Sequence, residues 1–486
     1  MSKKQRLFLS LGILSAPILA IPFVAASCGE TNKEEPKTPV NGGSDGSTTG
    51  GNTTNTGGNS TTTGGNTSST TSSGTQNSSS ELLAKIDKRM PVNASLAELI
   101  KSKQAIVITD AGHIDDKSFN QSAWEGLKTF AKDSSVAENE INNYKIEPSS
   151  ESDYDKYYSN LLQRNEVKYW ITVGFKHESP IKEFFSEEEN RQKLINSDKV
   201  IIAIDYDASA PLSNDVQGLP QGHAISLLFN TKESGYVAGK SAAEYVSTVM
   251  EPNEVSKRLL NSFGGGAFPG VTDFIEGYLK GINDWNKANP DKKVKHKVSS
   301  DASKINLSTG FNRDNQMATN VTKEVATDPK PLVILPVAGP ATLDVSEKVR
   351  DRQLIIGVDV DQVNSVIQAK DKFFTSITKE IGQALYDILR GLYTNDAQFL
   401  YGFQLGTKSI SHKGSLKEGW TGLAKAHLSG DETARAQAIL DKNIAEFKGF
   451  SEDKVGYINS DKALENGQVI NDIVTRLNKL VEEINK

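Results

Sequence analysis

The residues best equipped for chemistry fall close together, in Ala105-Ile-Val-Ile-Thr109-Asp110-Ala-Gly-His113-Ile-Asp115-Asp116-Lys117-Ser118-Phe119-Asn120. Carboxylates accept hydrogen bonds, the Asn120 carboxamide can both donate and accept, and the Phe119 ring offers a flat apolar face. Such a set suits the gripping of a polar, flat, neutral molecule. Adjacent acids such as Asp115 and Asp116 could suggest glycoside hydrolysis, but neighbours on a loop more often cap the helix that follows.

Other catalytic and metal signals are weak. The glycine run Gly264–Gly270 lacks the Gly-Lys-Ser/Thr ending of a phosphate loop and reads as a turn. Asp359-Val-Asp361 lacks the glycine and distal glutamate of a calcium loop, and His113 and His177 have no second ligand at metal spacing. Beyond residue 80 there is no Gly-x-Ser-x-Gly elbow, and the lone cysteine, Cys28, sits at the end of an apolar leader. The sequence therefore predicts no enzyme, no cofactor and no metal.

The elements that must position these groups alternate. Strand candidates are residues 105–109, 168–173, 200–204, 258–263, 332–337 and 354–358, and helical periodicity falls between them at 119–131, 152–164, 233–249, 271–285, 381–392 and 471–484. Strand alternating with helix implies a parallel sheet, and ligands bind at the carboxyl edges of such sheets. Some 400 residues exceed one hydrophobic core, so two Rossmann-like lobes are expected. Lobe one is predicted over 95–228 with a return at 376–400, and lobe two over 229–375 plus 401–486. The interleaving implies a hinge crossed several times.

The start of the chain is of a different kind. Lys3, Lys4 and Arg6 precede an apolar stretch that ends Ala25-Ala26-Ser27-Cys28, which reads as a lipoprotein signal peptide over 1–27 with Cys28 as the acylated residue. Residues 28–80 are almost entirely Ser, Thr, Gly and Asn, a composition that cannot offset the entropy of ordering. A disordered tether of that length spans roughly 40 Å. Net charge is −6 with both signs interspersed, which excludes a nucleic-acid-binding face, and nothing after residue 28 is apolar enough to span a bilayer. A monomer held on the outer face of the cell membrane by lipid is expected.

Thr109-Asp110 followed by Asp115-Asp116-Lys117-Ser118-Phe119-Asn120-Gln121-Ser122-Ala123-Trp124-Glu125-Gly126 resembles the first ligand-binding loop of the basic membrane protein family. These are bacterial lipoproteins that serve as substrate-binding components of ABC transporters, and their best-understood members bind purine nucleosides. Further stretches are similar to the family pattern: Ile201–Asp205, Gly264–Pro269 with Phe274, Gly277 and Gly281, Val337-Ala338-Gly339, Gly357–Gln362, and Ser376-Ile-Thr-Lys379, which is expected to open the helix returning to lobe one. The likeness covers roughly residues 105–390. Where the family has more glycines after Ala-Gly, this chain has Pro340-Ala341.

The resemblance implies a type I periplasmic-binding-protein fold and a set of roles. Phe119 and Phe311 would stack on the two faces of a base, with Asp110, Asn120 and Asp205 at its edge. Gly339 would lie at the ribose end. Asp359, with Asp361 as second choice, would take the ribose hydroxyls, and Lys379 would donate to a sugar oxygen or hold that acid. The implied partners are a nucleoside and an ABC transporter permease. Alternatives are a binding protein for another small polar ligand such as a sugar, or an adhesin or host-interaction lipoprotein on the same scaffold.

Overall fold

The computed structural model describes residues 82–110, 112–250, 257–299 and 303–486. The signal segment, Cys28 and the tether lie outside the described residues. Five strands open the fold: β1 (Gln104–Ile108), β2 (Lys145–Ile146), β3 (Val167–Val173), β4 (Val200–Ile204) and β5 (Ala224–Phe229). Five more follow: β6 (Leu259–Gly264), β7 (Lys295–His296), β8 (Val333–Val337), β9 (Leu354–Asp359) and β10 (Lys372–Lys379). The last three are β11 (Ile410–Gly414), β12 (Thr421–Leu423) and β13 (His427–Leu428). They form two sheets, one for each lobe.

The first sheet is parallel throughout, in the order β11-β5-β4-β3-β1-β2. The second runs β12-β10-β9-β8-β6-β7, parallel except that β12 and β13 pair antiparallel with β10. Every residue of β4 and β9 is buried, as expected of strands covered by helices on both faces. In the first lobe Trp170, Tyr158, Phe130 and Tyr386 fill the space between sheet and helices. In the second, Tyr278, Phe274 and Leu480 pack one face of the sheet, and Phe263 and Phe373 the other.

Two segments sit otherwise than the sequence suggests. Ser376–Lys379 ends β10, in the second sheet, and the helix begins only at Ile381. Phe373, Phe374, Thr375, Ser376 and Ile377 are all buried, which suits a strand between two covered faces. Residues 410–414 return to the first sheet as β11, beside β5, instead of joining lobe two. As an edge strand β11 buries only Ile410 and Gly414, so it carries little apolar signal.

The chain passes between the lobes at Asn230, Glu380 and residues 415–420. These crossings are bonded to one another, Asn230 N–H to Gly414 O at 2.9 Å and Glu380 N–H to Trp420 O at 2.9 Å. Beyond the first crossing, helix Thr231–Val249 packs on helix Pro269–Ala288 with their backbones in contact. A Cβ on Gly239 would lie 2.0 Å from Tyr278 O, and one on Gly281 2.1 Å from Tyr236 O. Glycine is the only residue that permits this approach.

Candidate ligand-binding site

The carboxyl ends of both sheets face one cavity of about 1090 Å³. Strand ends supply its polar groups: Asp110 just beyond β1, Gly174 beyond β3, Asp205 after β4, Ala338 and Gly339 after β8, Asp359 closing β9 and Lys379 closing β10. Helix Phe119–Asp133 adds Phe119 and Asn120 from its first turn, and the loops after β6 and β7 add Phe268 and Phe311. Asp110, Phe119, Asn120, Asp205, Phe311, Gly339, Asp359 and Lys379 are thus brought together. Asp361 is not. It lies past the end of β9 and turns towards His427, 3.7 Å from Nε2, away from the cavity.

The cavity has two polar poles. At the first, Asp116 accepts backbone N–H groups from Ser118 (2.9 Å), Asn120 (2.9 Å) and Gln121 (3.1 Å), capping the helix that begins at Phe119. Its neighbour in the loop, Asp110, accepts from Asn120 Nδ2 at 3.1 Å. Burial raises the pKa of both acids, that of Asp116 to about 6, against the hydrogen bonds that favour their charged forms.

At the second pole Lys379 is the centre. Its ammonium lies 2.6 Å from Asp205 of the other lobe and 3.8 Å from Asp359, and it sits 5.2 Å above the Phe119 ring and 5.0 Å from that of Phe274. Burial disfavours the charge on Lys379, but Asp205 and Asp359 outweigh burial and raise its pKa. Asp359 also accepts from Ser118 Oγ at 2.8 Å, again across the cleft, and burial raises its pKa despite Lys379 and Ser118. A Cβ on Gly339 would meet Ser118 Cβ at 2.5 Å, so the lobes touch here. Asp205 therefore belongs with Lys379, apart from Asp110.

One short turn was missed in the sequence. Gly174 has φ 106°, and a Cβ there would fall 2.7 Å from Asp110 Oδ2. Phe175 stacks on Phe268 of the other lobe with ring centroids 3.4 Å apart, and Lys176 lines the cavity. His177 is wholly buried, its Nε2 3.1 Å from Ile108 O and 3.0 Å from Thr109 O, its Nδ1 2.6 Å from Tyr158 Oη. Burial pushes its pKa down to about 3, so the ring is neutral. Nε2–H then donates to the carbonyls that precede Asp110, and Tyr158 donates to Nδ1. The signal available in the sequence was a glycine directly after a buried strand, the same rule that located Asp110.

Among the described residues no group of acids, histidines or cysteines could hold a metal ion, and no helix is long and apolar enough to cross a membrane. What the site can do is enclose a small molecule between two lobes, with aromatic faces and a charge pole.

Comparison with known proteins agrees with that geometry. Residues 103–414 match the family model described as ABC transporter substrate-binding protein PnrA-like. The ABC transporter nucleoside-binding protein BmpA of Lactococcus lactis subsp. cremoris is 26% identical over 300 residues, 59% of this chain and 73% of that protein. Basic membrane protein A of Borreliella burgdorferi is 25% identical over 318 residues, 65% of this chain and 77% of that protein. A solute-binding protein of an ABC transporter system from Aeropyrum pernix K1 shares the fold at TM-score 0.51 and 17% identity, over 73% of this chain and 88% of that one. With its two lobes, its cleft and this match over most of both sheets, the chain belongs to the PnrA-like family of ABC transporter substrate-binding proteins, which bind their substrates and do not transform them.

Proposed function

We propose that the protein captures a nucleoside, a purine nucleoside above all, and delivers it to the permease of an ABC transporter, held to the outer face of the membrane by lipid on Cys28. The observation that carries the reading is the cavity itself. Phe119 and Phe311 line it together with Asp110 and Asn120 at one pole and Asp359 and Lys379 at the other, which suits a flat base with a hydroxylated sugar. The name of the Lactococcus relative supports the same ligand class.

Thermal unfolding with nucleosides, bases and sugars tests it. A ligand at a thousand times its Kd stabilises the native state by about 4 kcal/mol. Guanosine, adenosine or inosine is expected to raise the midpoint and ribose to leave it unchanged. Phe119→Ala is expected to weaken nucleoside binding at least tenfold, since stacking on one ring is worth about 1–3 kcal/mol. A midpoint indifferent to every nucleoside, in protein first freed of co-purified ligand, sinks the proposal. Palmitate labelling that survives Cys28→Ser would sink the anchor.

A further inference from the structure

We propose, resting on the nucleoside reading, that the Asp110 pole selects 6-oxopurine nucleosides, which carry an N1–H beside a C6 carbonyl, over adenosine. The argument begins with Asn120. Its Nδ2 donates to Asp110 Oδ1 at 3.1 Å and to Asp116 Oδ2 at 3.0 Å, so both amide protons are consumed within the protein. The opposite amide orientation would set a carbonyl oxygen against two carboxylates, and that leaves one assignment. Asn120 lines the cavity, and among the described residues its buried Oδ1 has no hydrogen-bond partner. A buried acceptor of this kind is costly to leave unmade, so a ligand donor is expected to satisfy it.

Asp110 adds acceptors to the same pole. Its Oδ2 lies against Gly174, where the missing Cβ leaves room for the carboxylate. Burial raises its pKa, while the Asn120 bond and the nearby charge of Lys176 favour the carboxylate form. With Asp110 in its carboxylate form and both Asn120 amide protons already used, Asp110 and Asn120 Oδ1 have only acceptors left to offer a ligand. A donor is supplied by Lys176, which lines the cavity with Nζ 3.2 Å from Glu151 Oε1.

Base chemistry decides what fits. Adenine carries an N6 donor flanked by the acceptors N1 and N7, so either edge turns a lone pair towards a carboxylate or a carbonyl oxygen. Hypoxanthine and guanine offer N1–H, and guanine N2–H₂ as well, to the acceptors, with O6 free to accept from Lys176. A site whose buried polar groups are left unpaired by the wrong base discriminates strongly.

Calorimetric titration of the full chain with guanosine, inosine, adenosine and 1-methylinosine is the test. Guanosine and inosine are expected to bind at least tenfold tighter than adenosine. Methylation at N1 removes the donor without changing the sugar, and it is expected to weaken inosine at least tenfold. Asp110→Asn, which replaces one acceptor by a donor, is expected to narrow the ratio of inosine to adenosine to threefold or less. Adenosine within threefold of inosine, or N1-methylation without effect, overturns the selection rule and leaves nucleoside capture standing. If no nucleoside binds, the reading beneath it falls as well. The methylated probe uses the unaltered protein, so it decides the matter even if Asp110→Asn fails to fold.

Discussion

Asp205 and Asp359 both end their strands with positive φ, 71° and 65°, a conformation that costs most side chains energy but that Asp adopts more readily. Each aims its carboxylate at Lys379, which is 3% exposed. Two acids and one base out of water hold one another in balance: the desolvation of any one is tolerable only while its partners remain. Lys379→Met is therefore expected to cost about 3–5 kcal/mol in urea unfolding, because it leaves two buried carboxylates without a counter-charge. A loss below about 1 kcal/mol would mean that water reaches the cluster. Lys379 also stands over Phe119 and Phe274, so the same change is expected to weaken ligand binding.

Helix Gly339–Lys348 begins where the lobes meet, with Gly339 against Ser118. Gly339→Val would place carbon where Ser118 now sits and hold the lobes apart. Its expected signature is at least a tenfold loss of ligand affinity with unfolding changed by about 1 kcal/mol or less. Small-angle scattering would show a larger radius of gyration in the variant; an unchanged radius would count against the contact as the closing stop. Elements of this kind were legible in unequal degree. β1, β4, β8 and β9 are nearly unbroken apolar runs and were read from sequence, as were β3 and β6 despite Lys168 and the Asn261-Ser262 pair, and the helices at 119, 271 and 381. β5 was overlooked because Ser226 interrupts a short run that could equally be helix. β10 and β11 were misplaced because Ser376–Lys379 and His412–Gly414 are polar. The cavity was legible wherever a polar residue closes a buried strand, which is why Asp110, Asp205 and Asp359 were read. It was illegible at the turn Gly174–His177, whose role depends on the neighbouring strand, and at Asp361, where the sequence gives no sense of which way the side chain points.

Over the whole molecule, opposing titrations shape the response to acid. His177 and His296 are fully buried, with pKa pushed down by burial to about 3 and about 4. Such a group contributes fully above its unfolded pKa near 6.5, and the contribution is lost as pH falls towards the folded value. Asp116 and Asp387, raised by burial to about 6, act in the opposite sense and gain stability on acidification. A variant separates the two. His296 meets Ser262 Oγ at 2.9 Å, a bond glutamine can keep. Between pH 7 and pH 5 His296→Gln is expected to lose about 2 kcal/mol less stability than the unaltered protein; equal losses in denaturant titrations would show that His296 already titrates normally. The three crossings of the hinge have a consequence of another kind, in the order of synthesis. β5 pairs with β11, which leaves the ribosome about 185 residues later. At 5–20 residues per second that interval is roughly 10–40 s. Through it the first lobe has an apolar strand with a bare edge, open to pairing with another chain. A nascent protein of this design depends on a holding chaperone, or on export before folding, more than its finished stability would suggest.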